Sequence, residues 1–95
     1  MAGKQAPGLD EALRALKGEV TDWDLFLSSY QDISDVLAGA DLSEANLTER
    51  NLSGLNLTGT DLFEARLSSA NLKHAKMDRA ELSGADLSHA GLYKA

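Results

Sequence analysis

The side chains that could take part in catalysis are widely spaced in this sequence. Glu49, Ser69 and His89 are the residue types of a hydrolase triad, and they follow one another at intervals of twenty residues. A nucleophilic serine needs a histidine base within hydrogen-bonding distance, and that base needs a carboxylate on its far side. Whether these three residues meet depends on the elements that position them.

Metal and redox chemistry has few candidate ligands in this chain. There is no cysteine, so neither a disulfide nor a thiolate zinc site can form. The two histidines, His74 and His89, stand apart in the sequence. We therefore predict no zinc site and no cofactor.

Composition limits the class of partner. Ninety-five residues suit one small domain, and fifteen Asp and Glu against nine Lys and Arg give a net charge of -6. This charge disfavours direct binding to nucleic acid or to an anionic membrane, and it favours a basic surface on another protein. The N-terminus lacks the basic start and apolar run of a signal peptide, and no stretch approaches the roughly 18 apolar residues of a membrane span. We therefore expect a cytoplasmic protein without a membrane segment.

An internal repeat of five residues runs through the C-terminal part of the chain. From residue 38 the sequence divides into AG, ADLSE, ANLTE, RNLSG, LNLTG and further units of the same kind. The first position of a unit is mostly Ala, the second mostly Asp or Asn, and the fourth mostly Ser or Thr. The third position is apolar in every unit: Leu42, Leu47, Leu52, Leu57, Leu62, Leu67, Leu72, Met77, Leu82, Leu87 and Leu92.

A period of five residues fits neither of the regular elements. Leucines at this spacing do not share one side of an α-helix or of a straight strand, whose periods are about 3.6 and 2 residues. A chain that turns a corner every five residues places each third-position side chain inward and keeps the polar positions in water. Stacked coils then satisfy each other's backbone hydrogen bonds.

The units from residue 38 to residue 95 resemble the pentapeptide-repeat family, whose pattern is A(D/N)LXX. Membership implies a right-handed quadrilateral β-helix with four units to a coil, in which the first and third positions point inward. We therefore expect an all-β solenoid of just under three coils over residues 38–95, preceded by a short α-helical N-terminal cap over residues 1–37.

Several units depart from the family pattern. Arg50, Leu55 and Thr60 occupy the small inward position, and Arg66, Lys76 and Gly91 occupy the Asp/Asn position. Arg50 is the costly departure, because an inward guanidinium must be paired or reach water. It lies in the first coil, so it can point toward the preceding segment. The candidate partners there are Asp22, Asp24, Asp32 and Asp35.

The segment before the repeats has helical periodicity. The apolar residues of a first short helix, ending near Gly18, are Leu9, Ala12, Leu13 and Leu16. Those of a second are Trp23, Phe26, Leu27 and Tyr30. Thr21 and Asp24 resemble a capping box for this second helix. Asp10, Glu11 and Glu19 on the polar face favour a cap for the solenoid end over a helix that binds a membrane or a partner.

Four units to a coil would stack residues twenty apart at about 4.8 Å. One face then collects carboxylates without a basic residue among its repeat units. We call it the acidic face, and it consists of Asp41, Glu44, Asp61, Glu64 and Glu81. Carboxylates stacked at this spacing are expected to raise one another's pKa.

Three readings of the acidic face are open. It is a solvated polar surface, a cation site such as one for Ca²⁺, or a protein-recognition surface. A Ca²⁺ site is disfavoured because no glycine-bearing loop supplies the roughly six to eight oxygens that it requires.

The remaining faces differ in charge from the acidic face. The adjoining face stacks Asn46, Arg66 and Asp86, and Arg66 is expected to pair with Asp86. Basic residues collect on the two faces after that: Lys73, His74, Lys76, Arg79 and Lys94.

The same stacking argues against catalysis. In the column of Glu49, Ser69 and His89 the carboxylate lies beyond the serine rather than beyond the histidine, so it cannot orient the base. We predict no catalytic residue and no enzyme. The leading hypothesis is a non-catalytic scaffold or protein-interaction module.

The alternative hypothesis follows from the resemblance. Some members of the family bind a type II DNA topoisomerase as mimics of duplex DNA, so this chain would bind and regulate DNA gyrase. Fewer than three coils make a rod of about 14 Å, equivalent to roughly four base pairs, which is short against one helical turn.

The last coil predicts a second contact surface. Its apolar side chains, with unpaired strand edges beside them, would remain uncovered at the C-terminal end. We expect two copies to meet there as a homodimer. The alternative is that the coils continue in a longer parent chain. The candidate end-to-end interface is Met77, Leu82, Leu87, Leu92 and Tyr93.

Overall fold

The computed structural model describes residues 8–18, 20–30 and 33–95. Two helices come first, α1 over Leu9–Leu16 and α2 over Val20–Ser29. Among the described residues, neither helix has the length and apolar character needed to cross a membrane.

Helix α1 is the first predicted amphipathic helix. Ala12 and Leu16 are fully buried on one face. Asp10 and Glu11 lie in the first turn, where the positive end of the helix dipole stabilises their negative charge. The helix is followed by Lys17 as its C-cap, close to the predicted end.

Helix α2 carries the aromatic residues. Trp23 is fully buried and stacks on Phe26, with ring centroids 5.2 Å apart, and Phe26 in turn contacts Tyr30 at 4.9 Å. The Tyr30 hydroxyl donates to Glu11 Oε2 at 2.8 Å, which ties the end of α2 to α1. The predicted capping box is wrong, because the helix begins at Val20 and Thr21 therefore lies inside it.

The repeats stack through parallel bridges between residues twenty apart, which is four five-residue units. The bridged pairs are Asp41 with Asp61, Asn46 with Arg66, Asn51 with Asn71, Asn56 with Lys76, Asp61 with Glu81, Arg66 with Asp86, and Asn71 with Gly91. Each bridge is a single pair, and within the described ranges no longer strand forms, because the chain turns again after every unit. The twenty-residue register agrees with the sequence prediction.

A β-turn closes each unit. The N–H of Ala45 donates to the carbonyl of Leu42 at 3.1 Å, and the same bond recurs at the other corners. The fifth position has positive φ from Gly39 to Lys94, as the third residue of a type II turn requires. Glycine takes this conformation without strain, whereas Glu44 at 59° and His74 at 60° hold it with a side chain.

Third-position leucines form the core of the stack. Those of the first two coils, such as Leu42 and Leu62, are fully buried. Two of the departures at the first position also point inward. Leu55 is 4% exposed, and Thr60 is 1% exposed with its hydroxyl donating to the carbonyl of Leu57 at 2.9 Å.

The stack begins before residue 40. Leu37 is fully buried, and the N–H of Gly39 donates to the carbonyl of Thr58 at 2.9 Å. Asp35 accepts a hydrogen bond from Asn56 Nδ2 at 3.0 Å. Residues 35–39 therefore take part as a further unit, although only Leu37 and Gly39 resemble the repeat. The boundary predicted at residue 38 falls inside this unit.

The helices pack on the first repeats and share one apolar core with them. Trp23 Nε1 donates to the carbonyl of Asn51 at 2.8 Å. Second-position carbonyls accept from the preceding coil elsewhere in the stack, as Asp61 does from Leu42. The indole therefore supplies a donor at the edge of the stack, where a preceding coil would otherwise supply one.

Arg50 is buried, but its acceptors differ from the predicted carboxylates. The guanidinium donates to the carbonyls of Leu16, Gly18 and Thr48, with the Gly18 bond at 2.5 Å. The carbonyls at the end of α1 have no helical donor, and they form the negative end of its dipole. Backbone carbonyls therefore compensate the buried charge. Of the four carboxylates proposed as partners, Asp35 accepts from Asn56, and Asp32 lies outside the described residues.

A candidate protein-binding surface

The polar positions of each unit form a local hydrogen-bonded turn. Asp41 Oδ1 accepts from the N–H of Ser43 at 3.0 Å and from its hydroxyl at 2.7 Å. Asn46 makes the same pair of bonds with Thr48. These bonds explain why Asp or Asn precedes Ser or Thr by two positions in the repeat. Because the amide of Asn46 serves as well as the carboxylate of Asp41, the turn does not require a negative charge.

Three second-position carboxylates stack in one column of the acidic face. Parallel bridges join Asp41 to Asp61 and Asp61 to Glu81. Glu81 reaches its own turn through Oε1, which accepts from the N–H of Ser83 at 2.9 Å. The predicted column is therefore present.

The ionisation of this column differs from the sequence expectation. The Ser43 hydroxyl and N–H hold the pKa of Asp41 below its ordinary value, and the Ser83 hydroxyl and N–H do the same for Glu81. The expectation that stacking raises these pKa values is wrong for Asp41 and Glu81, because both bonds stabilise the charged carboxylate. Each carries its charge at neutral pH.

Glu44 and Glu64 occupy the corner beside the column. Both have positive φ, and the third residue of their column is Gly84. A Cβ on Gly84 would lie 2.9 Å from Glu64 Cγ, so the stem of Glu64 lies across the glycine. Both glutamates are exposed, and together with the bridged column they complete the five-residue acidic face.

A basic residue from outside the repeats reaches the edge of this face. Lys17, the C-cap of α1, contributes electrostatically to the lowered pKa of Asp41. Sequence reasoning missed this approach because it compared the repeat units only with one another. The charge of the acidic face is thus partly offset at its N-terminal edge.

Phe63 lies within the acidic face and was also missed. The residue is 44% exposed, and its N–H donates to Asp61 Oδ1 at 3.0 Å. The carbonyl of Phe63 accepts from Glu44, and Glu64 donates to the carbonyl of Ser83, so the fourth positions of this face stack as its second positions do. The signal in the sequence was an aromatic residue where most units have Ser or Thr.

The adjoining faces follow the predicted distribution of charge. Arg66 forms parallel β-bridges, which are backbone contacts, with Asn46 on one side and Asp86 on the other. The pKa of Asp86 lies below its ordinary value, mainly because the Ser88 hydroxyl and N–H donate to it, and Arg66 adds an electrostatic contribution.

His74, Tyr93 and Lys94 form a group of basic and aromatic side chains at one corner near the C-terminal end of the stack. The ring of His74 meets Tyr93 edge-on at 5.5 Å, and Lys94 Nζ lies 5.6 Å from the centroid of the Tyr93 ring. These contacts support the predicted column of His74 and Lys94 and add Tyr93 beside it.

The candidate end-to-end interface is less buried than the rest of the core. Met77, Leu82 and Leu87 are half-buried, whereas Leu92 is 48% exposed and Tyr93 is 61% exposed. The third-position residues of this set continue the leucine columns of the first two coils.

Glu49, Ser69 and His89 occupy the same corner in successive coils, and all three have positive φ. The N–H of Glu49 donates to the carbonyl of Ser68, and that of Ser69 donates to Ser88, as the stacking register requires. In the parts of the chain that the structure describes, no group of three His, Asp or Glu side chains is arranged to hold a metal ion.

A shallow cleft of about 370 Å³ lies between the two helices. It is lined by Glu11, Arg14, Ala15, Asp22 and Phe26. None of the residues proposed from the sequence as part of a binding surface belongs to it.

Comparison with known proteins identifies the repeats. A family model described as pentapeptide repeats matches residues 40–78 and 65–95, with eight copies. The search of curated proteins gave no significant match. Pentapeptide repeats in general form β-helix solenoids, and the matched ranges cover the bridged part of this chain. The chain belongs to the pentapeptide-repeat family.

Proposed function

We propose that this chain is a non-catalytic repeat scaffold whose acidic face binds a basic surface on another protein. Membership of the family supports a repeat scaffold or interaction module, and such proteins are generally without catalytic activity. The observation that carries the proposal is the bridged column of Asp41, Asp61 and Glu81. Neighbouring units make the same turn with Asn, so the fold alone does not account for the charge.

The proposal includes the finer architecture. The repeats would form a right-handed, four-sided coil that begins with the unit of residues 35–39, and the helices α1 and α2 would form its cap. The twenty-residue register supports four sides. The bond from Trp23 to the carbonyl of Asn51, and those from Arg50 to the carbonyls of Leu16 and Gly18, support a cap. A cytoplasmic location and a homodimer through Met77, Leu82, Leu87, Leu92 and Tyr93 remain predictions.

A charge-removing variant tests the acidic face. The triple change Asp41→Asn, Asp61→Asn and Glu81→Gln keeps an acceptor oxygen for each turn while it removes three charges. In a pull-down from cell extract, we expect the basic partners retained by the wild type to be reduced several-fold, most strongly at low salt.

The control removes three charges from other faces by Glu49→Gln, Asp78→Asn and Asp86→Asn. Equal retention by the two triple variants would contradict the proposal. Specific retention of gyrase subunits, with an effect on supercoiling, would instead support the topoisomerase hypothesis.

A further inference from the structure

Phe63 lies outside the buried core, and it has no hydroxyl to donate the side-chain hydrogen bond that completes the turn in other units. The units that stack on either side have Ser43 and Ser83 in its place, and both hydroxyls donate to the carboxylate of their own unit. Phe63 retains only the N–H bond to Asp61. Its unit therefore has one hydrogen bond fewer than its two neighbours, and it has an aromatic residue that is 44% exposed to water.

The position of the ring sets the chemistry of a ligand. Phe63 lies between Ser43 and Ser83 in the stack, and the carboxylates of the acidic face surround it on the same face and corner. Aromatic side chains are enriched at the centre of protein interfaces, where a polar rim surrounds them. The carboxylates favour a cationic ligand, and the face of the Phe63 ring favours a planar cation that can stack on it.

We infer that Phe63 and the acidic face together bind an arginine-rich segment of a partner protein, with one guanidinium stacked on the Phe63 ring. A guanidinium stacks on an aromatic face and pairs with carboxylates through two parallel hydrogen bonds, whereas an ammonium is a strongly hydrated point charge. The inference rests on the proposed function, since it names the class of segment that the acidic face would recognise.

The test compares two peptides of equal charge, eight arginines and eight lysines, by NMR titration of the full ¹⁵N-labelled chain. We expect the arginine peptide to bind more tightly and to shift the amide signals of Ser43, Phe63 and Ser83. The part of the arginine preference that depends on the ring should be about two- to fivefold.

Two variants isolate the ring. Phe63→Ser restores the residue found in the units above and below, so it should fold, and we expect it to lose this part of the preference while it binds the lysine peptide as before. Phe63→Leu keeps an apolar side chain without a ring face and should lose the preference too. Leu25→Ser, which removes an exposed apolar side chain of α2 outside both proposed surfaces, should keep it.

The outcomes separate the inference from the proposed function. If the triple acidic-face variant binds both peptides as well as the wild type does, the proposed function fails. If binding depends on the carboxylates but Phe63→Ser or Phe63→Leu keeps the full arginine preference, only the stacking inference is overturned.

Discussion

At the scale of single residues, one short hydrogen-bonded turn accounts for most of the repeat pattern. A second-position oxygen accepts from the N–H of the fourth position and often from its hydroxyl as well. When the acceptor is a carboxylate, these bonds favour its charged form and lower its pKa, as for Asp86. A lowered pKa contributes stability that is present above the unfolded carboxyl value of about 4 and is lost as the pH falls through the lower folded value.

This linkage gives a prediction for Ser88→Ala. Without the hydroxyl, the pKa of Asp86 should rise toward its ordinary value, and the loss of stability on acidification should become shallower. A ¹³C NMR titration of the Asp86 carboxyl and urea unfolding at neutral pH and about pH 3 measure the two effects. Ser53→Ala is the matched control, because its hydroxyl donates to the non-titrating amide of Asn51. An unchanged Asp86 pKa in Ser88→Ala would show that the hydroxyl bond is not its cause.

At the scale of elements, five-residue units that each end in a turn take the place of long strands, and their leucines stack in columns. Leu62 is fully buried and lies in the column between Leu42 and Leu82, whereas Leu92 is 48% exposed. Truncation of a buried leucine removes transfer free energy and leaves a cavity that a stack held from both sides cannot close.

We therefore expect Leu62→Ala to lower the free energy of unfolding by about 2 to 5 kcal/mol. Leu92→Ala should cost roughly 1 kcal/mol, since about half of its side chain already contacts water. Denaturant unfolding of the two variants measures this difference. Equal midpoints would be inconsistent with the column assignment.

The elements also show what the sequence could and could not predict. A strict period of five with one apolar position was enough to predict the inward leucines. The twenty-residue register, and the acidic face that depends on it, followed from the resemblance to the pentapeptide-repeat family. The unit from 35 to 39 was missed because Asp35 and Val36 do not match the repeat, and burial of Leu37 reveals it. Phe63 was missed because the surface was predicted from charged residues alone. The turn of its unit does not require an aromatic side chain at the fourth position, and this was the signal that pointed to Phe63.

At the scale of the whole molecule, side chains join the helices to the repeats. Trp23 donates to the carbonyl of Asn51, and Arg50 donates in the opposite direction to the carbonyls of Leu16 and Gly18. The predicted acid partners of Arg50 were wrong although the end of the first helix was predicted near Gly18. Periodicity shows which residues point inward but not how the end of a helix packs against the repeats. Only the end of α1 at Leu16 brings its unsatisfied carbonyls to the guanidinium.

Arg50→Ala restores the common residue of the repeat but should weaken this junction. The carbonyls of Leu16 and Gly18 lose a buried donor, so we expect a loss of about 1 to 3 kcal/mol in the free energy of unfolding. Trp23, the single tryptophan, is fully buried, and its fluorescence should shift to longer wavelength if the helices loosen. Arg66→Ala, which removes an exposed arginine from the stack, is the control. An unchanged midpoint and emission maximum in Arg50→Ala would argue against this role.

The twenty-residue register also governs how insertions and deletions would redistribute the surface. Loss of twenty residues removes one layer and leaves every remaining column with the same neighbours. Loss of a single unit, such as residues 70–74, moves everything after it by one side, so that Asp86 would stack on Asp61 and Glu81 on Asn56. A change of one residue moves leucines out of the interior. Length variation in such a chain can therefore exchange whole surface columns while the interior is retained, provided that it occurs in steps of five.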